Sequence, residues 1–329
     1  VYYVSKMEIR KLQKTGGSTF LLSLPKGWIK RMGLKQGDLV ALIERGDGAL
    51  LVDPRYSEKE KVKMAIIEID ASPNFTREIT ANFLYGYDVI RIRSKNGITS
   101  EQRDAIKRSL QQLVGVEIVE ESAKEITLQC LLSPSALSLK RTIKRTYLIA
   151  ARMQEDAVTA IKDKDLNLAE SVVVRDEDID RLYFLMVRQL RSAIMEPYLA
   201  EKIGISPIEC LDYRVAIKSI ESMADYSVKI AEQVHLILDA KIPENVIESI
   251  LKINRIAHEM HSNAIEALVR KDGVLASKTI AMKPQRNQAV EEAYKALANE
   301  SVEISIPLST VIDMLDRISE CGVDIADLA

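Results

Sequence analysis

The sequence predicts a multidomain α+β protein in which a short β unit, a small α/β sandwich and an all-helical region follow one another. Short apolar runs broken by glycines fill roughly the first fifty residues. Strand-like and helix-like runs then alternate up to residue 133, and helical periodicity dominates the remainder. A chain of 329 residues is long enough for two or three domains.

The first domain, residues 1–54, is predicted to be a compact β unit. The runs "MEIRKLQK" and "STFLLSL" are rich in strand-forming residues, and the Thr-Gly-Gly between them suits a tight reversal. Pro25 begins a short helix, "KGWIKRM", which Gly33 ends. Two more short strands flank a second glycine turn at 46–48. So small a unit buries too little to be stable alone, so we expect it to pair with a second copy.

The same segment carries sequence landmarks in a fixed order. Thr-Gly-Gly is followed by Leu-Pro-Lys, Gly-Leu and Gly-Asp. In these positions the segment resembles a SpoVT/AbrB-type domain, whose swapped-hairpin dimers bind DNA in many bacterial and archaeal regulators. The resemblance implies a swapped-hairpin AbrB-like β domain. It implies DNA binding less directly, because the same dimer can serve as an assembly device.

The start of the chain is strongly basic. Up to residue 35 there are eight lysines and arginines against one acid, whereas from residue 301 onward six acids face one arginine. Lysine and arginine side chains neutralise phosphates and release counterions, which gives salt-sensitive affinity for nucleic acid. The candidate DNA contacts are Arg10, Lys11, Lys14, Lys26, Lys30 and Arg31. An ordinary solvated basic surface is the alternative interpretation.

Residues 60–133 are predicted to form a small α/β domain. Its runs follow the order β-α-β-α-β-β, from "MAIIEID" to "EITLQCLL". Thr76 and Ser100 are the expected helix N-caps. Gly86 and Gly115 are expected to end helices, because neither belongs to a Gly-x-Gly run that would cradle a phosphate. We find no catalytic constellation in this segment.

Residues 135–329 are predicted to form about six long helices. Breaks between them are expected near Asp165, at 204–207, and near Pro243, Gly273 and Pro307. Six helices fit a pair of antiparallel three-helix bundles, with repeats at about 135–240 and 243–329.

Two segments of the helical region recur further along the chain. "IESMADYSVKIAE", which begins at Ile220, returns 95 positions later as "LDRISECGVDIAD" from Leu315. "DEDIDRLY", which begins at Asp176, returns 111 positions later as "NQAVEEAY" from Asn287. In each segment two oxygen-bearing residues lie four apart and therefore share one helix face. For a single helix, a solvated ladder of charges is the simple alternative.

Paired carboxylates on neighbouring helices predict metal binding in each half. Oxygen ligands without histidine or cysteine favour hard cations such as Mg, Mn, Ca or oxidised Fe. The repeated pattern resembles the PhoU family, whose repeated three-helix bundles hold multinuclear metal clusters in some members. The resemblance implies a first cluster of Asp176, Asp180, Glu221 and Asp225 and a second of Glu291, Asp316 and Glu320.

The resemblance to PhoU also implies a regulator of phosphate uptake and phosphate homeostasis. We predict a homodimeric, DNA-binding transcriptional regulator with a metal-binding helical sensory domain. The alternative is an adaptor that contacts a phosphate transporter or signalling protein and uses its first domain only to dimerise. We expect no enzymatic activity, because no Ser-His-Asp or Cys-His set is visible. Metal-dependent phosphoester hydrolysis by the carboxylates stays open as a third hypothesis.

Cysteine usage and hydropathy indicate where the protein works. Cys130, Cys210 and Cys321 are far apart and lack metal-type spacing, which suits a reducing compartment. No apolar run approaches the length needed to span a bilayer, and no signal sequence opens the chain. We therefore expect a cytoplasmic protein.

Overall fold

The structure is a computed structural model that describes residues 7–44, 48–54, 62–133 and 137–329. The chain divides into two compact units, Val1–Lys61 and Val62–Ala329. The predicted order of a β region, a small sheet with helices and a long helical region is confirmed. Among the described helices, none is both long and apolar enough to cross a membrane.

The N-terminal unit contains two antiparallel strand pairs with a helix between them. The strands are β1 (Gln13–Thr15) with β2 (Thr19–Leu21), and β3 (Ala41–Glu44) with β4 (Leu50–Asp53). The helix α1 (Lys26–Met32) ends at Gly33, whose φ of 69° gives it the left-handed conformation of a helix C-cap. The strands β1 and β2 are shorter than the predicted runs. Of the predicted second glycine turn, residues 46 and 47 lie outside the described residues.

Apolar side chains of the N-terminal unit are largely exposed. Within residues 7–44 and 48–54, no apolar side chain is buried. The side chains that are more than half exposed include Leu12, Phe20, Leu39, Leu42 and Leu50. A single copy of this unit therefore lacks a hydrophobic core of its own in the described residues, as expected for so small a unit.

The second unit begins with one four-stranded sheet. Its strands are β5 (Met64–Glu68), β6 (Val89–Arg93), β7 (Val116–Glu121) and β8 (Glu125–Cys130), in the spatial order β5-β6-β8-β7. The β5–β6 pair is parallel and the other two pairs are antiparallel. Helices α2 (Phe75–Leu84) and α3 (Ser100–Gln111) complete the predicted order. Ile67, Phe83, Ile92 and Ile106 are fully buried in the core of this domain.

The predicted helix N-caps of this domain are wrong by one or two positions. The N-cap of α3 is Thr99, whose hydroxyl accepts the Gln102 N–H while its own N–H donates to the Gln102 side chain. This reciprocal pair is a capping box, and it places Ser100 inside the helix. The N-cap of α2 is Asn74, so Thr76 lies in its first turn.

The helical region, within residues 137–329, contains six long helices and two short ones. They are α4 (Leu139–Asp163), α5 (Leu166–Met195), α6 (Pro197–Ile203), α7 (Pro207–Glu232), α8 (Glu244–Arg270), α9 (Gly273–Ile280), α10 (Lys283–Leu297) and α11 (Val302–Ala326). The predicted break at Pro307 is wrong, because α11 begins earlier and runs through the proline. The proline is the sixth residue of α11 and removes one backbone hydrogen bond, yet the helix continues through it.

The six long helices pack in two groups of three. The helices α4, α5 and α7 pack against one another, as do α8, α10 and α11. The two groups share one core, because α7 packs on α11 and α4 contacts α8. Lys164 and Lys271 end α4 and α8 in the same left-handed conformation, and each is followed by an aspartate that caps the next helix. These matching ends align α4 with α8 at an offset of 107 residues.

A buried arginine attaches the sheet domain to the helical region. Arg188 of α5 is fully buried and donates to the carbonyl oxygens of Phe83 and Tyr87 at 2.7 and 2.8 Å. It also pairs with the Asp88 carboxylate at 3.1 Å. The helix that carries Asp176 and Asp180 therefore also holds the end of α2 in place.

Candidate metal centre

Packing of α5 against α7 brings four predicted ligands of the first half together. Asp176 and Asp180 lie one turn apart on α5, and Glu221 and Asp225 lie one turn apart on α7. Asp176 and Asp180 each experience the negative charges of both acids on α7. The two pairs therefore lie close enough across the α5–α7 contact to influence one another electrostatically.

Repulsion within this first acidic group is visible in its proton affinities. The pKa of Asp176 is raised to about 6, chiefly by burial and then by the charges of Asp180 and Asp225. Burial also raises the pKa of Asp180 and of Asp225, and in both cases the Glu221 charge raises it further. The group therefore holds more negative charge than its surroundings neutralise, and a bound cation would relieve that repulsion.

One oxygen of the group has no partner. Asp176 Oδ1 is buried and accepts no hydrogen bond from the described residues, whereas buried polar atoms are normally satisfied. Glu221 is turned toward Lys218 on its own helix, and the two form an ion pair. As the side chains stand, no three His, Cys, Asp or Glu residues in the described part of the chain are arranged to hold a metal ion. Glu221 would therefore have to leave Lys218 to serve as a ligand.

The donor set of the first half nevertheless suits a hard cation. All four side chains offer carboxylate oxygens, which are the ligands that Mg, Mn and Ca prefer. The Lys218 side chain is about half exposed (49%), so it is free to move into solvent when Glu221 turns. The orphaned Asp176 oxygen marks the position at which a further positive partner would be stabilising.

The second half is arranged differently. Arg286 of α10 points between the two acids of α11, where it donates to Asp316 Oδ1 at 2.6 Å and forms an ion pair with Glu320. The Arg286 side chain is only 7% exposed, and both acids direct an oxygen to it. A guanidinium therefore already occupies the space between two of the carboxylates predicted for the second cluster, Asp316 and Glu320, and these residues do not fit a metal ion as they stand.

The third predicted ligand of the second half is directed elsewhere. Glu291 forms an ion pair at 2.6 Å with Lys295, one turn further along α10, and its side chain is 67% exposed. The structure thus brings Asp316 and Glu320 together around Arg286 without Glu291. Metal ligation by either group of residues stays a prediction.

Sequence reasoning missed the arginines beside the acidic pairs. Arg175 immediately precedes Asp176, and Arg286 immediately precedes Asn287, at the same 111-residue offset that relates the two segments. In the first half, Arg175 donates to Asp156 of α4 at 2.7 Å and to the Ser171 carbonyl. The repeat places an arginine at the equivalent position in each half. Their partners differ because Arg175 bonds an acid on α4, whereas Arg286 bonds an acid on α11.

The basic residues proposed for DNA contact lie on the N-terminal unit. Lys14 is on β1, and Lys26, Lys30 and Arg31 are on α1. Arg10 pairs with Glu8 just before the first strand. All six predicted contacts, including Lys11, are exposed. Their role in DNA binding stays a prediction.

These features define a class of protein in which a small β unit precedes a sheet domain and two three-helix groups with acidic pairs. The PhoU domain model matches residues 143–234, and the model described as antidote-toxin recognition MazE, bacterial antitoxin, matches residues 13–60. The chain therefore contains a PhoU domain and an N-terminal MazE/AbrB-like antitoxin domain. Comparison with curated proteins gave no significant match.

Solved structures similar to this chain include PhoU proteins. PhoU from Pseudomonas aeruginosa is 18% identical with a TM-score of 0.52, and the match covers 58% of this chain and 92% of that one. The phosphate transport system regulatory protein PhoU from Streptococcus pneumoniae is 16% identical with a TM-score of 0.49, and the match covers 58% of this chain and 90% of that one. At such identity, the first of these matches shows a shared fold.

Proposed function

We propose that this chain regulates phosphate uptake and phosphate homeostasis as a DNA-binding homodimer whose helical region binds a hard metal ion. The observation that carries the proposal is the presence of a MazE/AbrB-like domain and a PhoU domain in one chain. The first is a type of domain found in DNA-binding regulators, and PhoU proteins are regulators of phosphate transport. Joined in one polypeptide, they would couple a phosphate-related state to transcription.

The charge of the N-terminal unit supports contact with DNA. Its six candidate lysines and arginines are exposed, and a dimer would present each of them twice. Lysines at positions 26 and 30 lie one turn apart on α1 and thus share a face. Such contacts position a protein on the phosphate backbone, while sequence preference must come from other groups.

DNA binding is tested by fluorescence anisotropy of the full chain on labelled duplexes between about 50 and 200 mM KCl, a range over which phosphate contacts weaken strongly. Lys26→Gln with Lys30→Gln is expected to weaken binding and to make the salt dependence shallower. In a dimer, each substitution removes about two units from the slope of log affinity against log salt. Exposed Lys107 and Lys124 of the sheet domain provide the control pair, also changed to Gln.

Equal losses of DNA affinity in the Lys26/Lys30 and the Lys107/Lys124 double variants would contradict a DNA-binding role for α1. Weak, salt-independent DNA binding by the unchanged protein would contradict it too.

The link to phosphate has a separate test. Genomic fragments retained by the protein are sequenced, and enrichment of fragments upstream of phosphate-transport genes is expected. Retention without such enrichment would leave a DNA-binding protein with another set of targets.

Metal binding is proposed at the first acidic group. Asp176, Asp180, Glu221 and Asp225 would supply the oxygens, and the ion would neutralise charges that now repel one another. Elemental analysis of protein purified without chelators is expected to find Mg, Mn, Ca or Fe, and Asp225→Asn to remove it. Asp178→Asn, an exposed acid on the same α5, is the matched control. Unchanged metal content in Asp225→Asn would contradict the assignment.

An adaptor role is the second candidate, and a groove on α4 favours it. The groove, about 490 Å³ in volume, is lined by Arg141, Lys144, Arg145, Leu148, Ile149, Arg152 and Arg175. Arg152 and Arg175 are paired with Asp156, whereas Arg141, Lys144 and Arg145 are not. These three cations form no ion pair with other described residues, and Leu148 is 64% exposed. A cationic rim around an apolar floor suits an acidic, amphipathic segment of a partner protein.

The adaptor role is tested by placing a photo-crosslinking residue at Leu148 and, as a control, at Val274 of α9, which is similarly exposed. A crosslink to a phosphate transporter or phosphate-sensing protein from position 148 alone would support it. If position 148 gives no crosslink above the control while DNA binding persists, the adaptor role fails and the transcriptional role stands.

A further inference from the structure

The two halves of the helical region neutralise equivalent acids by different means. Asp316 and Glu320 of α11 are the repeat equivalents of Glu221 and Asp225 of α7. In the second half a buried guanidinium contacts both acids. In the first half no arginine contacts the equivalent pair among the described residues, although Arg175 occupies the position equivalent to Arg286.

The partner of Arg175 explains this difference. Asp156 of α4 is almost completely buried and accepts from Arg175 at 2.7 Å and from Arg152 at 3.0 Å. Ser171 of α5 adds its backbone carbonyl at 3.1 Å and its hydroxyl at 3.3 Å from the Arg175 side chain. Arg175 is therefore held on the α4 side of its helix, away from the acids of α7.

The side chains that hold Arg175 differ in the second half. The 107-residue offset that superimposes the ends of α4 and α8 makes Asn263 the equivalent of Asp156, and Glu259 the equivalent of Arg152. The 111-residue offset makes Met282 the equivalent of Ser171. Without an aspartate on α8 to hold it, Arg286 finds its negative partners on α11 instead.

We propose that Arg286 is the built-in cation of the second half, and that the residue at the Asp156/Asn263 position decides whether an arginine or a metal ion neutralises the neighbouring acidic pair. The second half is thus a suppressed site for a divalent cation. The proposal rests on the metal-binding role proposed above for such pairs, but it makes a separate statement about Asp316 and Glu320. Releasing Arg286 should make this site available.

The energetic reason is that the guanidinium satisfies both carboxylates without a divalent ion. Arg286 forms charge-assisted hydrogen bonds to the acids, which are roughly twice as strong as neutral ones. Bringing a dication to the same pair would require it to displace a buried, covalently tethered charge that cannot diffuse away. The tether keeps the arginine at a high effective concentration at the site.

The experiment uses the full chain in a background that lacks the first group, Asp176→Asn with Asp180→Asn. Binding of Mn²⁺ is counted by the loss of the free-ion electron paramagnetic resonance signal. We expect no stoichiometric binding in this background, and about one Mn²⁺ per chain after Arg286→Gln is added. Further addition of Asp316→Asn and Glu320→Gln should abolish the gained binding.

Asn263→Asp provides a second variant that keeps Arg286 in place. In the same background, the new aspartate should draw Arg286 toward α8, and Mn²⁺ binding should again appear. This variant keeps the proposal testable if Arg286→Gln fails to fold, which circular dichroism would reveal. Failure of both folded variants to gain Mn²⁺ would overturn the proposal. The proposal would also be overturned if the background protein, with Arg286 unchanged, bound Mn²⁺ and lost it when Asp316→Asn and Glu320→Gln were added.

The outcomes separate this inference from the proposed function. Suppose that the unchanged protein binds no metal, but that adding Arg286→Gln to the background lets it bind Mn²⁺. Metal binding by the first group is then refuted, whereas the suppressed second site is supported. If the unchanged protein loses its metal with Asp176→Asn and Asp180→Asn, but neither released variant gains any, the first site stands and the second is refuted.

Discussion

Gly322 of α11 and His261 of α8 meet so closely that a β-carbon on the glycine would lie 2.9 Å from the His261 amide nitrogen. His261 is fully buried, and its ring bonds Tyr147 and Gln154 of α4 at 3.0 and 2.7 Å. Burial lowers the pKa of His261 to about 3, so the ring is neutral at ordinary pH. The glycine thus permits the close approach of α11 to α8 within the second half, and the His261 ring in turn bonds α4 of the first half.

We expect Gly322→Ala to reduce the free energy of unfolding by roughly 1–3 kcal/mol, because the added methyl group must push two helix backbones apart. Urea denaturation followed by circular dichroism measures the loss. Gly273→Ala is the control, since a β-carbon at Gly273 would meet nothing within 4 Å. If Gly322→Ala lowers the free energy of unfolding no more than the control does, α8 and α11 move apart without a measurable energetic cost.

Asp176→Asn should stabilise the metal-free protein at pH 7. The pKa of Asp176 is raised from 3.8 to about 6 in the folded state. The protonated folded form is therefore favoured below about pH 4, and that stability is lost as the pH rises through about 6. After allowance for solvent screening of this partly buried group, the gain at pH 7 is about 1 kcal/mol.

Thermal unfolding of the chelator-treated protein at pH 4 and pH 7 measures this difference. The stabilisation is expected at pH 7 and should largely disappear at pH 4, where Asp176 of the unchanged protein is protonated. Asp178→Asn, on the exposed side of α5, is the matched control. An equal effect of Asp176→Asn at both pH values would mean that the carboxylate charge is not what destabilises the site.

Arg188→Met should loosen the sheet domain from α5. The substitution leaves the carbonyl oxygens of Phe83 and Tyr87 and the Asp88 carboxylate without their shared donor. Leaving a buried acceptor without its donor costs about 1–3 kcal/mol, whereas the Asp88 side chain is 37% exposed and can be solvated by water. Hydrogen exchange should rise most at the end of α2, and urea denaturation should give the total loss.

Arg191→Met is the matched control for Arg188→Met. Arg191 lies on the same helix and stacks on the Tyr85 ring at 5.0 Å, but it is only partly buried. Its removal should cost about 1 kcal/mol or less. Similar losses for the two arginines would contradict a special role for the buried one.

Phe20→Glu should weaken dimerisation through the N-terminal unit. Phe20 is 62% exposed on β2, in a unit with no buried apolar side chain within residues 7–44 and 48–54. A second copy would cover this surface, and a charge placed there would oppose that burial. Sedimentation velocity of the full chain should show a shift from dimer to monomer, whereas Val274→Glu on α9 should leave the dimer intact.

A dimer that persists in Phe20→Glu would place the self-association elsewhere. An unchanged protein that is monomeric at all concentrations would refute the predicted homodimer altogether. In the DNA titration, Phe20→Glu should show a shallower salt dependence than the unchanged protein and Val274→Glu, because loss of the dimer halves the number of phosphate contacts.

Local patterns were sufficient to predict the secondary structure and the order of domains. Strand runs, glycine stops and helical periodicity act through neighbours in sequence, so the β-α-β-α-β-β order and the six long helices could be predicted. Errors arose where two local signals compete within a few residues. Thr99 and Ser100 both suit an N-cap, and the Gln102 side chain decides for Thr99. The proline signal at Pro307 competes with the helical periodicity around it, and the helix continues through the proline.

The sequence by itself determined which acids are paired, since a four-residue spacing on a helix fixes one shared face. Only the tertiary structure decided which cation each pair receives. Arg175 and Arg286 hold equivalent positions in the repeat, yet one bonds Asp156 and the other bonds Asp316 and Glu320. An arginine side chain reaches acids on either neighbouring helix, so its choice depends on acids that are 19 to 34 residues away in sequence and are brought close only by helix packing.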